Sequence, residues 1–258
     1  MRQFKHTLIV LALLIVGGCA GFGGGPGSES AEASPAALNL KLGIGYMQQG
    51  NFNVALEKLN KALEYNERLP EAHNALGVLY EETGEIPLAE QHYKRAIELD
   101  PNYTLAKLNY GRFLCAHSNP EEGENQLLTI AADPNLKSVE AAYTGAGFCA
   151  RLSNHLERAE AHLRKALEQN PNGSGALYEM ARLSHAQGKD LQARAFLQRY
   201  HSQVGYSPAS LFLGIEIEDA LGDGELRREY ARLLLTRFAE SEEARRLSDY
   251  DHARNFSK

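Results

Sequence analysis

The residue types that perform catalysis are present in the chain, but their spacing matches no catalytic or metal-binding pattern. His155 and His162 stand seven residues apart, and the other histidines share no ligand spacing with them. Neighbouring carboxylates, such as Glu81 and Glu82, fall at predicted helix ends or on exposed faces, where acidic groups are well solvated. The sequence contains no His-Glu-x-x-His, Gly-x-Ser-x-Gly or Cys-x-x-Cys motif. We therefore predict a binding protein without catalytic residues, a metal site, a small-molecule substrate or a diffusible cofactor.

Cys19 is the residue best placed for covalent chemistry. A basic start, an unbroken apolar run over residues 8–16 and then small residues lead directly to it. The run is shorter than the roughly 20 apolar residues that a transmembrane helix needs, so residues 1–18 are predicted to be a signal peptide. The string VGGC that ends at Cys19 resembles a bacterial lipobox, which implies cleavage before this cysteine and lipid attachment to it. The alternative is an ordinary cleaved signal with a chance cysteine.

The residues after Cys19 suggest where such a lipoprotein would reside. Ala20 stands where resemblance to sorted lipoproteins would place an Asp for retention in the inner membrane, so we expect the outer membrane, facing the periplasm. Residues 19–35 are rich in Gly, Ser, Ala and Pro and carry Phe22 as their one large apolar side chain. This composition predicts a flexible tether behind a lipid anchor. Several acyl chains would make the attachment stable, since one chain alone is marginal.

Two further cysteines, Cys115 and Cys149, would form an even pair in an oxidising compartment once Cys19 is acylated. They fall in the predicted first helices of consecutive repeats, whose axes should lie roughly 8–10 Å apart. A disulfide needs Cα atoms within about 4.4–6.8 Å, which the small residues beside both cysteines would permit. The alternative is a pair of buried, reduced thiols that act as small apolar side chains.

Composition and charge limit the classes of partner. The 258 residues are 43% hydrophobic and 23% charged, as in an ordinary folded chain that can bury a core. The formal net charge is −6 and the isoelectric point is about 5.9. Because nucleic-acid binding needs clustered Lys and Arg to neutralise phosphates, this balance argues against a nucleic-acid partner.

From about residue 36 the sequence repeats with a period of 34 residues. The recurring residues include Gly43, Gly77 and Gly111, Tyr46 and Tyr80, Ala55 and Ala89, and Ala62 and Ala96. This pattern resembles the tetratricopeptide repeat, in which small residues let two antiparallel helices approach closely. Single repeats cannot bury their apolar faces, so we predict an all-α, right-handed superhelical solenoid of about six repeats.

The predicted repeats become weaker toward the carboxyl end, where the signature residues are sparser. We expect a polar capping tail over residues 239–258. The predicted repeats, within the overall range 36–238, cover approximately residues 36–69, 70–103, 104–137, 138–173, 174–206 and 207–238.

The groove-facing positions of the first repeat are unusually apolar. Leu40, Ile44 and Met47 fall at such positions of its first helix, and Val78 follows in the second repeat. An apolar groove suits an amphipathic helix or an extended apolar peptide from a partner. The alternative is that the chain's own N-terminal segment or the curvature of the repeats covers these side chains.

Several strings resemble one particular family. They are LGIGYMQQGNFNVALEKLNKALEYN in the first repeat, NYGRFLC in the third, ALYEMARL in the fifth and SLFLGIEIEDALGD in the sixth. Behind a lipobox, they resemble the type IV pilus biogenesis and stability lipoproteins, the PilF/PilW pilotin family. The resemblance implies a protein that binds the pilus secretin subunit, escorts it to the outer membrane and promotes its multimerisation.

The same resemblance bears on individual residues. Family members use N-terminal repeats for the secretin, which corresponds here to Leu40, Ile44 and Met47. Some relatives bridge two repeats with a disulfide, which favours a bond between Cys115 and Cys149. The alternative function is that of a lipid-anchored repeat adaptor for other cell-envelope assembly machinery.

Overall fold

A computed structural model of the chain describes residues 34–133 and 139–256, with side chains described up to residue 250. All regular structure in these ranges is helical. No helix described is both long and apolar enough to cross a membrane. The helices are α1 (Pro35–Gln48), α2 (Phe52–Tyr65), α3 (Pro70–Glu82), α4 (Ile86–Leu99), α5 (Thr104–His117), α6 (Pro120–Ala131), α7 (Val139–Leu152), α8 (Leu156–Gln169), α9 (Ser174–Ala186), α10 (Asp190–Val204), α11 (Pro208–Leu221), α12 (Gly224–Arg237) and α13 (Glu242–Phe256).

The first twelve helices form six consecutive pairs, from α1 with α2 to α11 with α12. Each odd-numbered helix up to α11 also contacts the next odd-numbered helix, so these helices form a continuous inner row. Each even-numbered helix up to α10 packs against the odd-numbered helix that follows it. Stacking of this kind buries the apolar face that a single pair leaves open. The predicted all-α superhelical solenoid of tetratricopeptide repeats is confirmed.

The two helices of a pair cross closely because one of them presents a residue with almost no side chain. A Cβ atom on Gly77 of α3 would lie 2.7 Å from Cδ1 of Tyr93 on α4, so only glycine fits there without movement. Close packing of this kind leaves no room for an extra methyl group. The same pairing recurs as Gly43 with Leu59, Gly111 with Leu127, Gly147 with Leu163 and Gly214 with Tyr230.

The turns between paired helices follow ordinary rules of local structure. Gly50 and Gly84 have φ angles of +72° and +83°, a region that residues with a Cβ atom rarely adopt. At the start of α6 the side chain of Asn119 accepts hydrogen bonds from the backbone N–H groups of Glu121 and Glu122, at 3.1 and 3.2 Å. Pro120 then begins the helix, where its missing N–H group costs nothing.

The carboxyl end of the solenoid is closed by α13. Ala244 and Leu247 of this helix are buried against α11 and α12, although most of its other residues are charged. The guanidinium of Arg246 lies over the ring of Phe212 on α11, 4.7 Å from its centroid. The segment expected as a polar capping tail therefore contains a helix that covers the apolar face of the last pair.

Three expectations lie outside the described residues. They concern the signal peptide over residues 1–18, the acylation of Cys19 and nearly all of the tether over residues 19–35. The described chain begins at Ser34, whose side chain caps α1 by accepting a hydrogen bond from the backbone N–H of Ala37 at 3.1 Å.

Candidate partner-binding surface

The four apolar residues predicted to line the N-terminal groove do not share one environment. Leu40 and Met47 are half-buried and pack against the core that α3 builds with Leu76 and Leu79. Ile44 is 40% exposed on the inner side of α1. Most of the surface of Leu40 and Met47 is thus used to join the first repeat to the second, whereas Ile44 stays open to a partner.

Val78 lies in a different cluster from the other three. It is half-buried against Tyr93 and Phe113, at the junction of the second and third repeats. It also lines a cavity of about 160 Å³ together with Glu81 and Glu82. The structure therefore separates Val78 from Leu40 and Met47, because a groove-facing residue of one repeat packs against the next repeat along the chain.

Two exposed leucines on α1 escaped the sequence analysis. Leu38 is 56% exposed and Leu42 is 41% exposed. The recurrence of the glycines places equivalent residues of the first two repeats 34 positions apart. The equivalents of Leu38 and Leu42 in the second repeat are Ala72 and Leu76, which are fully buried. In α3 that face packs against the preceding repeat, and in the described part of the chain α1 has no preceding repeat. Alignment of the repeats by their glycines would have revealed these residues.

We call Leu38, Leu42 and Ile44 the α1 surface. These three residues carry the largest exposed apolar side chains of α1. Lys41, on the same helix, is exposed as well and places a cation beside them. Leu38 and Leu42 are four residues apart and share one face of α1, whereas Ile44 lies about 160° around the helix from Leu42. The face with the two leucines can bind an apolar helix or an extended apolar segment of a partner, and Ile44 can contact a second part of that partner.

Cys115 and Cys149 are joined by a disulfide between α5 and α7, with their Cα atoms 5.1 Å apart. Both residues are buried. Gly123 of α6 lies directly against Cys115, since a Cβ atom there would collide with the Cys115 sulfur and with the carbonyl oxygen of Gly111. The bond links the inner helices of the third and fourth repeats and so restrains their relative orientation.

The buried charged groups of the outer row form structural contacts. Glu124 of α6 is 4% exposed and bonds to Nε2 of His162 on α8 at 3.0 Å. Its other carboxylate oxygen lies 3.0 Å from the guanidinium of Arg158. These contacts connect the second helices of the third and fourth repeats.

Two histidines of the second repeat also bond to each other. Their Nδ1 atoms are 3.0 Å apart, and Nε2 of His73 donates to the backbone carbonyl of Glu67. Burial, together with the charge of His73, lowers the pKa of His92 to about 4, so the pair is neutral near pH 7. Among the described residues no group of three or more His, Cys, Asp or Glu side chains is arranged to hold a metal ion.

Comparison with known proteins agrees with this architecture. Models of the tetratricopeptide repeat match residues 40–104 and 150–204. The type IV pilus assembly protein PilF of Pseudomonas aeruginosa is 28% identical over 191 residues, which cover 74% of this chain and 76% of that protein. An uncharacterized protein of Haemophilus influenzae is 26% identical over 142 residues, 54% of this chain and 79% of that protein.

Solved structures give the same relationship. The crystal structure of PilW, a widely conserved type IV pilus biogenesis factor, superposes with a TM-score of 0.62 at 25% identity, covering 82% of this chain and 97% of that one. The structure of Pseudomonas aeruginosa PilF superposes with a TM-score of 0.58 at 26% identity, covering 84% and 97%. The chain therefore contains tetratricopeptide repeats and is similar over most of its length to the type IV pilus factors PilF and PilW.

Proposed function

We propose that this chain is an outer-membrane pilotin, which binds the type IV pilus secretin subunit, escorts it to the outer membrane and promotes its multimerisation. The observation that carries the proposal is the similarity to PilF, which extends over 76% of that protein rather than over isolated repeats. The 191 aligned residues extend over several consecutive repeats. The similarity therefore supports a role in the same pilus machinery more strongly than the repeat pattern alone.

The α1 surface supplies the contact that such a role requires. In α3, α7 and α9 the residues equivalent to Leu38 and Leu42 are buried where these helices meet the preceding repeat. A helix from the secretin seated against α1 would cover these two leucines in the same way and would extend the array by one element. Burying exposed apolar area contributes about 25 cal/mol per Å², so Leu38 and Leu42 provide an apolar anchor on one face of α1, and Ile44 adds a contact on the other.

The proposed anchor adds the membrane to this recognition. Acylation of Cys19 would hold the solenoid at the inner face of the outer membrane, behind the tether over residues 19–35. Secretin subunits bound to several anchored copies would meet at a high local concentration, which favours assembly of a ring. The mass of the N-terminal peptide of the mature protein tests this part of the proposal directly.

Leu42→Glu and Ile44→Glu test the α1 surface. Each places a carboxylate in the proposed contact, and we expect the amount of secretin multimer in the outer-membrane fraction to fall at least tenfold. Leu88→Glu is the matched control, because Leu88 is 39% exposed but lies on α4 in the outer row. All three variants should unfold within a few degrees of the parent protein, because surface changes of this kind have small effects on stability.

Two results would overturn the proposal. One is undiminished secretin assembly in both α1 variants. The other comes from a photoreactive residue placed at position 44, if the main protein crosslinked to it is an envelope protein other than the secretin. The second outcome would favour the adaptor function instead.

A further inference from the structure

The first inner helix, α1, differs from the inner helices that follow it at one further position. Gly45 lies two residues after Gly43, the glycine at which α1 crosses α2. In the next three repeats the residue two positions after the crossing glycine is larger, and it is buried each time. These residues are Leu79, Phe113 and Cys149.

The larger residues at this position pack against the preceding repeat. Each of them shares a core cluster with a residue on the outer helix of that repeat. The pairs are Leu79 with Leu59 of α2, Phe113 with Tyr93 of α4, and Cys149 with Leu127 of α6. A side chain at this position therefore fills the space between an inner helix and the outer helix before it.

Gly45 leaves the corresponding space on α1 empty within the described structure. No atom lies within 4 Å of the position that its Cβ would take. Gly45 is seven residues from Leu38 and three from Leu42, so all three lie on one face of the helix. We call Leu38, Leu42 and Gly45 the end face. It consists of two exposed leucines beside a notch at Gly45.

The end face continues an interface that the solenoid already uses. The equivalent face of α3 is covered by an outer helix, α2. A helix seated on α1 in the same way would meet a notch where α2 meets the side chain of Leu79. It would therefore have to supply a large apolar side chain over Gly45, as Tyr93 does over Gly77 at the crossing of α3 and α4.

The outer helix α2 shows which spacing such an occupant needs. Its residues Phe52, Leu56, Leu59 and Leu63 pack in the cluster that contains Leu79 of α3. They are separated by four, three and four positions, which places them on one side of a helix. An extended chain points successive side chains to opposite sides and does not reproduce this spacing.

Lys41 adds a charge at the edge of the end face. It is the only charged residue in the sequence of α1, and it is exposed. The nearby helix α2 carries the carboxylates of Glu57 and Glu64, which pair with lysines of α2 itself. Within the described ranges no carboxylate pairs with Lys41. A carboxylate on the occupant can therefore pair with it and select one orientation of the bound helix.

We propose that the end face binds an amphipathic α-helix of the partner, which has the apolar spacing of α2, a large apolar side chain over Gly45 and a carboxylate opposite Lys41. The inference rests on the proposed function, because it names the kind of secretin segment that docks on α1. Gly45 is then the residue that determines which helices fit, since it admits a side chain that the later repeats exclude.

Gly45→Leu tests the notch, because it introduces the side chain that α3 carries at Leu79. We expect the purified secretin subunit to bind this variant at least tenfold more weakly than it binds the parent chain. Ala161→Leu is the matched control, because Ala161 is exposed on the outer helix α8, and its binding should be unchanged. Leucine favours a helix more than glycine does, so Gly45→Leu should unfold no earlier than the parent chain.

This experiment separates the inference from the proposed function. Weak secretin binding by Leu42→Glu together with full binding by Gly45→Leu would overturn the inference and leave the pilotin proposal standing. Full binding by Leu42→Glu, Ile44→Glu and Gly45→Leu would overturn both.

Overlapping 20-residue peptides of the secretin subunit test whether the bound segment is helical. We expect the peptide that binds to gain circular dichroism at 222 nm, and a proline at its centre should abolish binding. Lys41→Glu should weaken binding several-fold, and replacing the opposing carboxylate of the peptide by lysine should restore it.

Three results of these measurements would contradict a helical occupant. The first is that no peptide of the secretin subunit binds. The second is a bound peptide that tolerates the central proline. The third is a dimer of the parent chain alone that Gly45→Leu dissociates, because the occupant of the end face would then be a second copy of this chain.

Discussion

Replacement of Gly77 by alanine adds one methyl group at the crossing of α3 and α4. The new Cβ would lie 2.7, 2.8 and 3.0 Å from Cδ1, Cε1 and Cγ of Tyr93. Ordinary contacts between carbon atoms are about 3.5–4.0 Å, so either the ring or the helix has to move by roughly 1 Å. Tyr93 cannot move freely, because it is 1% exposed and its hydroxyl donates to Glu81 at 2.7 Å.

The size of the effect follows from two opposing contributions. Alanine in place of glycine inside a helix stabilises it by about 0.8–1 kcal/mol. Overpacking of a filled core costs about 1–3 kcal/mol. Gly45→Ala provides the control, because in the described structure nothing lies within 4 Å of the position that its Cβ would take. Since the helix contribution is common to both variants, Gly77→Ala should be less stable than Gly45→Ala by about 1–3 kcal/mol.

Urea denaturation followed by circular dichroism measures this difference, with the disulfide intact in both variants. Gly45→Ala should match or exceed the parent protein in its midpoint, and Gly77→Ala should have the lower midpoint of the two. Equal midpoints for the two variants would refute the reasoning that steric fit, rather than helix propensity, requires glycine at the crossing.

Two further predictions concern the disulfide and a buried histidine. The Cys115–Cys149 bond closes a loop with a sequence separation of 34 residues. The double variant Cys115→Ala, Cys149→Ala should therefore have a free energy of unfolding lower by up to about 4 kcal/mol, and an unchanged urea midpoint would contradict this. Burial lowers the pKa of His201 from an ordinary value near 6.5 to about 4, so the folded state binds protons less readily than the unfolded state. The stability that is present above pH 6.5 is therefore lost as the pH falls toward 4. His201→Phe keeps a ring beside Tyr206 and Tyr230. The free energy of unfolding that is lost between pH 7 and pH 5 should be smaller in this variant by about 1 kcal/mol after solvent screening. A pH profile of stability parallel to that of the parent protein would disprove the assignment.

The repeat architecture was predictable because its signals are local and periodic. Gly43, Gly77 and Gly111 mark the crossing points of helix pairs, and each needs only its own pair to explain it. Asn119 and Pro120 likewise predict the start of α6 from the chemistry of helix ends alone. The tail could also be recognised as a cap. The burial of its Leu247, however, depends on contacts with α11 and α12, which lie earlier in the chain.

The candidate site was less predictable, because exposure depends on which repeat lies next to a residue. Leu40 and Ile44 have similar side chains and are four residues apart, yet only Ile44 remains open, since α3 covers Leu40. Leu38 and Leu42 stay exposed for the opposite reason, because within the described chain no helix precedes α1. A pattern read along one helix contains no information about its neighbours in space.

The paired helices and their 34-residue period follow from local sequence signals, because helix propensity, turn glycines and close crossings act over short distances. How those helices stack, and therefore which side chains meet, depends on packing between repeats. Three contacts join residues of different repeats: the disulfide of Cys115 with Cys149, the hydrogen bond of Glu124 with His162, and the packing of Arg112 on the ring of Phe148. Such contacts depend on the relative rotation of successive helix pairs, which is set by packing over the whole interface between them.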